Sequence, residues 1–157
     1  MSGPAVPCPP AGRGECEPEF PAPPTATLYY LRNRKRPTTN YIRADITGMG
    51  YLHYDVRNEP DDGLGCSGIW LFEQAWMHFQ QNNVTINGIR GDWTFGANLT
   101  RINQLTANNQ LTVEVAATHP SLWAYQRASS KGYVNVQVLD TDGSPGHYIS
   151  VDVVYLK

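Results

Sequence analysis

Alternation of apolar and polar residues near the C-terminus is the pattern that most constrains the fold of this chain. Valines alternate with polar residues from Val134 to Val138, and the alternation resumes from Ile149 to Tyr155. Residues 140–146 (DTDGSPG) lie between the two runs and consist of residue types that form turns. Two alternating runs joined by such a cluster predict a terminal antiparallel hairpin.

Helical periodicity is clearest in the middle of the chain. Ile69, Phe72, Trp76 and Phe79 recur at helical spacing, which predicts one long helix. The spacing of apolar residues over 99–105 predicts a short second helix. Residues 121–131 also have a helical pattern, and they end at a glycine, a usual residue after a helix. Residues 112–117 combine β-branched residues with an alanine pair, so helix and strand both remain open there.

Four further short runs are typical of strands, because they are rich in aromatic and β-branched residues. They are Leu28–Leu31, Tyr41–Arg43, Tyr51–Val56 and Val84–Ile86. Residues 87–98 contain three glycines and predict a turn region. Together these patterns predict an α+β fold, with a twisted, mainly antiparallel sheet that carries two or three helices.

Composition separates the chain into two parts. Residues 1–24 hold most of its prolines and few bulky apolar residues, so we expect a flexible linker there. Residues 25–157 are expected to form a single domain, and 41% hydrophobic residues overall is enough for a core. The formal net charge is -2, so any affinity for nucleic acid must come from a local patch. Apolar runs fall short of the roughly 20 residues of a membrane helix, and the three cysteines lack metal-site spacing. We therefore expect no membrane partner and no metal.

The basic stretch near the start of the domain is the first candidate site. The strand-like run that contains Tyr29 and Tyr30 leads into a cluster of cations, and one more cation lies on the next run. These cations are Arg32, Arg34, Lys35, Arg36 and Arg43. Positive charge on a strand beside exposed aromatic rings can hold a phosphate and stack a flat ring, which suits a nucleotide or a nucleic acid. The alternative is an edge strand whose charges discourage pairing with other chains.

A glycine-rich loop ahead of the long helix is the second candidate. Gly63 and Gly65 precede the helix start, where free backbone N–H groups favour an anion such as pyrophosphate. Acidic residues at 59, 61 and 62 oppose phosphate binding. Cys66 near the same helix start would have a depressed thiol pKa if it were exposed, as a nucleophile requires. His147 would then be its base and Asp152 would orient that base; otherwise Asp152 is expected to be solvated on the polar face of a strand.

Two further carboxylates stand beside apolar residues. Glu114 is the one acid within the apolar and small residues of 112–117, so it is either part of a site or a surface point. Asp92 precedes Trp93 in the predicted turn region, where an acid and an aromatic ring could face a cleft together.

Residues 26–34 (ATLYYLRNR), followed by Pro37 and a glycine turn, resemble the first strand of bacterial ADP-ribosyltransferase toxins. The resemblance implies that Arg32 holds the phosphates of NAD and that Tyr29 or Tyr30 packs on its nicotinamide or ribose. It also implies a glutamate, here Glu114, that stabilises the oxocarbenium-like ribose as nicotinamide leaves. Tyr30 occupies the position of the family's arginine, and Arg32 lies two residues on, hence on the same face of a strand.

The rest of the chain is similar to the C-terminal toxin domains of Rhs-type polymorphic effectors. The similarity rests on Gly-Leu-Gly before a helix, on residues 87–93 (NGIRGDW), Asn98-Leu99 and residues 131–133 (KGY), and on the closing hairpin. It implies a domain secreted by a type VI system, released from a parent Rhs shell protein and active in the cytoplasm of a target bacterium. It also implies a cognate immunity protein. ADP-ribosylation, nuclease action and deamination all occur among such domains.

The order of the predicted elements is in addition similar to that of the GNAT acyltransferases: a strand, a Gly-x-Gly loop, a helix, a strand, a helix and a hairpin. Those enzymes bind the pyrophosphate of coenzyme A at the Gly-x-Gly loop. Here Pro60 replaces the expected arginine or glutamine, and the usual first strand and helices are missing.

The favoured hypothesis is an NAD-dependent ADP-ribosyltransferase toxin that modifies RNA or protein. The cations Arg34, Lys35, Arg36 and Arg43 suit an RNA acceptor. The alternatives are a GNAT-like acyl-CoA transferase, a metal-independent ribonuclease that uses His53 or His147, and a papain-like hydrolase that uses Cys66.

Overall fold

The structure, a computed structural model, describes residues 18–19, 23–33, 40–57 and 67–157, with only the backbone of residues 18–19 and 32–33. Its strands are β1 (Pro18–Glu19), β2 (Leu28–Asn33), β3 (Tyr41–Ile46), β4 (Tyr51–Arg57), β5 (Gly88–Trp93), β6 (Asn135–Asp142) and β7 (Ser150–Leu156). Its helices are α1 (Gly68–Gln81), α2 (Ala97–Thr106), α3 (Val113–Ala117) and α4 (Trp123–Ser129), with a 3-10 turn at Ala107–Asn109.

The chain divides into two compact units. The first comprises Met1–Thr47 and Tyr54–Thr85, and the second comprises Gly48–His53 and Ile86–Lys157. Strand β4 therefore contributes its first residues to the second unit and its last residues to the first.

In the first unit, helix α1 covers one face of a strand pair. Strands β2 and β3 are antiparallel, with Leu28 opposite Asp45 and Arg32 opposite Tyr41, and β1 pairs with the other edge of β2. Side chains alternate between faces along a strand. The buried positions, Tyr29, Leu31, Ile42 and Ala44, therefore share the face that α1 contacts, together with Leu71, Phe72, Ala75 and Phe79 of the helix.

Local chemistry fixes both ends of α1. The Ser67 hydroxyl accepts a hydrogen bond from the backbone N–H of Trp70 (3.1 Å), which satisfies one of the free donors of the first turn. After the helix, Asn83 has a φ of 58°, a left-handed conformation that asparagine tolerates better than most residues.

The second unit contains a mixed sheet in the order β4-β5-β7-β6. Residues Tyr51–His53 of β4 run parallel to Gly88–Arg90 of β5, and β7 is antiparallel to both β5 and β6. One face of β7 is buried through Val151, Val153 and Tyr155. The Tyr155 hydroxyl donates to the carbonyl of Ala117 (2.6 Å), which ties this face to the end of α3.

Much of the predicted secondary structure is present in the structure. The α+β class is confirmed, and so are the terminal hairpin, the long helix and the helices near residues 99–105 and 121–131. The number of helices was underestimated: the described residues contain four. The buried stripe of α1 also differs from the predicted one, because Ile69 is 47% exposed.

Two local predictions are wrong. Residues 88–93 form strand β5 instead of a turn, while Val84–Ile86 lie outside any strand. The backbone N–H of Val84 donates to the carbonyl of Phe79 (3.0 Å), so this segment completes the end of α1. The ambiguous residues 112–117 are helical, since the Thr112 hydroxyl caps α3 by accepting from the N–H of Val115 (3.2 Å).

Candidate functional site

The outer face of the β2–β3 pair carries some of the aromatic and basic residues of the first candidate site. Tyr30 lies opposite Arg43 in the register, and Arg32 lies opposite Tyr41. The rings of Tyr30 and Tyr41 have centroids 5.8 Å apart, and Arg43 is exposed. Because opposite residues of antiparallel strands point to the same face, the structure groups two rings and a guanidinium on one surface.

Tyr29 lies on the opposite face. Its side chain is 4% exposed, and its ring is 4.7 Å from that of His78 in α1. The Nε2 nitrogen of His78 hydrogen-bonds the carbonyl of Thr25, so this histidine also has a structural role. Burial raises the pKa of the Tyr29 phenol well above its ordinary value. Of the two tyrosines expected to pack on a ligand, Tyr30 is therefore the one with accessible surface.

Tyr41 is oriented by an acid on the neighbouring strand β4. Its hydroxyl donates to Oδ2 of Asp55 (3.4 Å). Partial burial, together with the nearby Asp55 carboxylate, raises the pKa of the Tyr41 phenol. The phenol therefore remains neutral at physiological pH and presents its ring, with its hydroxyl engaged by the carboxylate.

Several predicted residues fall outside the described residues. They are Gly63, Gly65 and Cys66 ahead of α1, and Arg34, Lys35 and Arg36 between β2 and β3. For Arg32 the structure gives the backbone alone. After the glycine-rich segment, the structure describes the Ser67 cap and the start of helix α1 at Gly68.

Glu114 lies in the second unit, whereas the basic and aromatic face lies in the first. It is exposed and occupies the first turn of α3. An acid in the first turn stabilises a helix, because it lies near the positive end of the helix dipole. The stability of the helix is therefore sufficient to explain why an acid occurs in this otherwise apolar segment.

Asp152 is not simply solvated, which corrects the sequence-based expectation. It accepts two hydrogen bonds from Arg90, at 3.0 Å from Nε and 2.7 Å from Nη2. Arg90 also approaches Asp92 at 3.7 Å. The hydrogen bonds to Asp152 raise the pKa of the Arg90 guanidinium. Asp92 and Trp93 belong to strand β5, not to a turn, and successive strand residues point to opposite faces.

This pairing weakens the hydrolase alternative. Asp152 is bound to Arg90 and is therefore not the partner of His147, which is exposed in the turn before β7. The backbone N–H of His147 donates to the carbonyl of Ser144 (2.7 Å), as expected of a turn residue.

Sequence reasoning missed one group of polar residues. Arg101 on α2 and Ser121 before α4 are 20 positions apart, but Nε of Arg101 donates to the Ser121 hydroxyl (2.9 Å). No motif in the sequence links them, because their contact depends on how α2 packs beside the turn that precedes α4.

Among the described ranges, no three His, Cys, Asp or Glu side chains are arranged to hold a metal ion. None of the helices in the same ranges combines the length and apolar character that spanning a bilayer requires. Comparison of the chain with protein-family models, with curated proteins and with solved structures yields no match.

Proposed function

We propose that this domain is a transferase that takes a group from a nucleotide containing a pyrophosphate, and that acyl-coenzyme A is the favoured donor. The observation that carries the proposal is the β4–α1–β5 connection. The chain leaves β4, passes the Gly63–Gly65 segment, enters α1 and returns as β5, whose first residues run parallel to β4. Glycines between a strand and the N-terminus of a helix suit close approach of a pyrophosphate to backbone N–H groups.

The order of the remaining elements supports acyl transfer over the other chemistries. The GNAT resemblance rests on a strand, a glycine loop, a helix, a strand, a helix and a closing hairpin in sequence. The chain has β4, α1, β5, helices α2 to α4 and the β6–β7 hairpin in that order. The resemblance to ADP-ribosyltransferases, in contrast, rests on residues 26–34 and a following turn, about one strand.

ADP-ribosyl transfer from NAD is the second candidate, and the outer face of β2 and β3 favours it. The rings of Tyr30 and Tyr41, 5.8 Å apart, suit stacking with a flat base or nicotinamide. Arg43, opposite Tyr30, and Arg32, opposite Tyr41, would hold phosphates. The resemblance to ADP-ribosyltransferase toxins implies that Glu114 stabilises the ribose cation as nicotinamide leaves.

The biological setting we propose is the same for both candidates. The domain is the toxin part of a secreted Rhs-type effector that acts in the cytoplasm of a target bacterium and is neutralised by an immunity protein. Its acceptor is a macromolecule of that cell, either protein or RNA. The basic residues Arg34, Lys35, Arg36 and Arg43 make RNA the acceptor to test alongside protein.

Two labelled donors separate the candidates. The purified chain is incubated with a bacterial lysate and either acetyl-labelled acetyl-CoA or adenine-labelled NAD, and the products are treated with protease or RNase. Acetyl label in macromolecules supports acyl transfer, and adenine label supports ADP-ribosyl transfer. Incorporation of neither label contradicts both candidates. The treatment that releases the label identifies the class of acceptor.

A variant then tests the catalytic role of Glu114. Glu114→Gln keeps the size of an exposed side chain, and the helix-dipole contribution it removes is small, about 0.3–1 kcal/mol. ADP-ribosyl transfer should fall strongly in this variant while the protein stays folded. The matched control is Glu73→Gln, the same chemical change at a half-buried acid on helix α1. Full transfer activity in Glu114→Gln would remove this residue from the mechanism.

A further inference from the structure

A pocket in the second unit is lined by polar side chains and a tryptophan, and its lining includes none of the residues discussed above as catalytic or donor-binding groups. Its volume is about 310 Å³, and its lining includes Asn98, Thr100, Arg101 and Gln104 of α2 together with Ser121 and Trp123. This volume is at the lower end of the range typical of small-molecule sites. Among the described residues that line it, Arg101 is the one cation and none is a carboxylate.

Hydrogen bonds hold the guanidinium of Arg101 in place. Its Nε donates to the Ser121 hydroxyl and its Nη1 donates to Oε1 of Gln104, both at 2.9 Å. The Ser121 hydroxyl lies 2.7 Å from Nδ1 of His119, and the Ser121 backbone N–H donates to the same nitrogen at 3.1 Å. That nitrogen is therefore an acceptor, so the Ser121 hydroxyl donates to it and uses its oxygen to accept from Arg101.

These bonds also determine which amide groups remain for a ligand. An arginine can only donate, so the Gln104 atom that faces Arg101 is its carbonyl oxygen and its NH₂ group is left over. In the same way, the backbone N–H of Ala124 donates to Oδ1 of Asn98 (3.0 Å), which leaves the NH₂ group of Asn98. The carbonyl oxygens of both amides are thus engaged within the protein, and the groups that remain are donors.

A concave surface with a fixed guanidinium, two amide NH₂ groups and no acid matches the acceptor oxygens of an anion. We propose that this pocket binds a small organic anion, a carboxylate or a phosphate. Arg101, Gln104 and Asn98 donate to its oxygens, and the Thr100 hydroxyl lies on the same lining. Trp123 contacts the ring or apolar part of the ligand, as tryptophan does in many small-molecule sites.

The test is calorimetric titration of the full chain with phenyl phosphate, benzoate and the neutral analogue phenol. We expect binding of at least one of the two anions and much weaker binding of phenol. Whichever anion binds more tightly identifies the oxyanion class. Binding of phenol as tightly as both anions, or no binding of either anion, overturns the proposal.

Gln104→Glu is the decisive variant. A carboxylate at this position still accepts from Arg101, so α2 and its contacts are retained, but it neutralises the guanidinium and removes a donor. Affinity for the anion should fall by about 10-fold or more, as expected from losing a charge-assisted hydrogen bond. The matched control is Gln110→Glu, the same chemical change at an exposed position that does not line the pocket.

The pattern of losses separates this site from general charge effects. Equal weakening in Gln104→Glu and Gln110→Glu, or unchanged affinity in Gln104→Glu, overturns the proposal. Trp123→Phe should weaken phenyl phosphate or benzoate more than inorganic phosphate or acetate, because it changes the surface that contacts the ring. Circular dichroism and the thermal midpoint of each variant establish that the fold is intact.

Discussion

Replacement of Tyr155 by phenylalanine should destabilise the second unit by removing one buried hydrogen bond. The last carbonyls of a helix have no partner within the helix, and that of Ala117 ends α3. The Tyr155 hydroxyl donates to this carbonyl at 2.6 Å. Tyr155 is 1% exposed and Ala117 is 0% exposed, so water does not have access to replace the lost donor.

The expected magnitude follows from this burial. Leaving a buried acceptor unsatisfied costs about 1–3 kcal/mol, while the apolar ring stays in place. In a chain of 157 residues, each kcal/mol lowers the thermal midpoint by roughly 2–4 °C. We expect Tyr155→Phe to unfold at a lower urea concentration with an unchanged dependence on denaturant, because the same surface is exposed on unfolding.

Tyr125→Phe is the matched control. Its ring lies 6.0 Å from that of Tyr155, but its hydroxyl has no hydrogen-bond partner among the described residues. Losing that hydroxyl should change the unfolding free energy by less than about 0.5 kcal/mol. Circular dichroism in a urea series measures both variants. A Tyr155→Phe protein as stable as the parent chain, or equal losses in both variants, would refute the reasoning.

Three other perturbations test separate parts of the packing. Asp152→Asn should cost roughly 1–2 kcal/mol in urea unfolding, less than the 3–5 kcal/mol of a fully buried pair, because Arg90 is one-third exposed. Burial raises the pKa of the Tyr29 phenol, so the phenol ionises at a lower pH in the unfolded chain than in the folded one. The free energy of unfolding should therefore keep the full contribution of Tyr29 below about pH 10 and fall as the pH rises further. Urea unfolding of Tyr29→Phe should show a shallower fall of this free energy with pH. Gly91→Ala should lower the free energy of unfolding by about 1–3 kcal/mol, because its Cβ would lie 2.3 Å from a carbon of the Trp93 indole. Gly48→Ala is the control, and it should be close to neutral because Gly48 has open space around it. Thermal unfolding measures both variants.

The elements that could be predicted from the sequence are those determined by local patterns. Val151, Val153 and Tyr155 alternate along β7 and are all buried, because successive residues of a strand point to opposite faces and these three share a covered face. Val154, on the opposite face, is buried as well. The phenylalanines at 72 and 79 similarly face the core from two turns of α1. These patterns depend on the geometry of one element and are visible in the chain without knowledge of its partners.

Strand β5 could not be predicted in this way, because its residues are explained by neighbours distant in sequence. A Cβ on Gly88 would lie 2.9 Å from Val154 of β7. Gly88 therefore allows close packing within a sheet, although glycine in a sequence favours a turn. Arg90 and Asp152 pair across 62 positions, so neither residue alone indicates the ion pair.

The capping of α3, in contrast, had a local signal. Thr112 precedes the helix by one position and bonds the N–H three residues later, the spacing of an N-terminal cap. With that cap, Glu114 becomes a first-turn acid, the residue type that the helix dipole favours there. A threonine cap at this position favours a helix over residues 112–117 and accounts for Glu114 as a first-turn acid.

Polar residues with an evident structural role are weaker candidates for a functional site than polar residues that are preorganised to bind a ligand. Asp152 neutralises Arg90 and Glu114 suits the start of a helix, so both are explained by stability. Arg101 differs, because its partners Ser121 and Gln104 are neutral and leave its charge uncompensated at the wall of a pocket. Fixing a guanidinium without neutralising it lowers the entropy cost of binding an anion, since the donor is oriented before the ligand arrives. By this criterion the pocket at Arg101 is the place where the described side chains are best preorganised for a ligand.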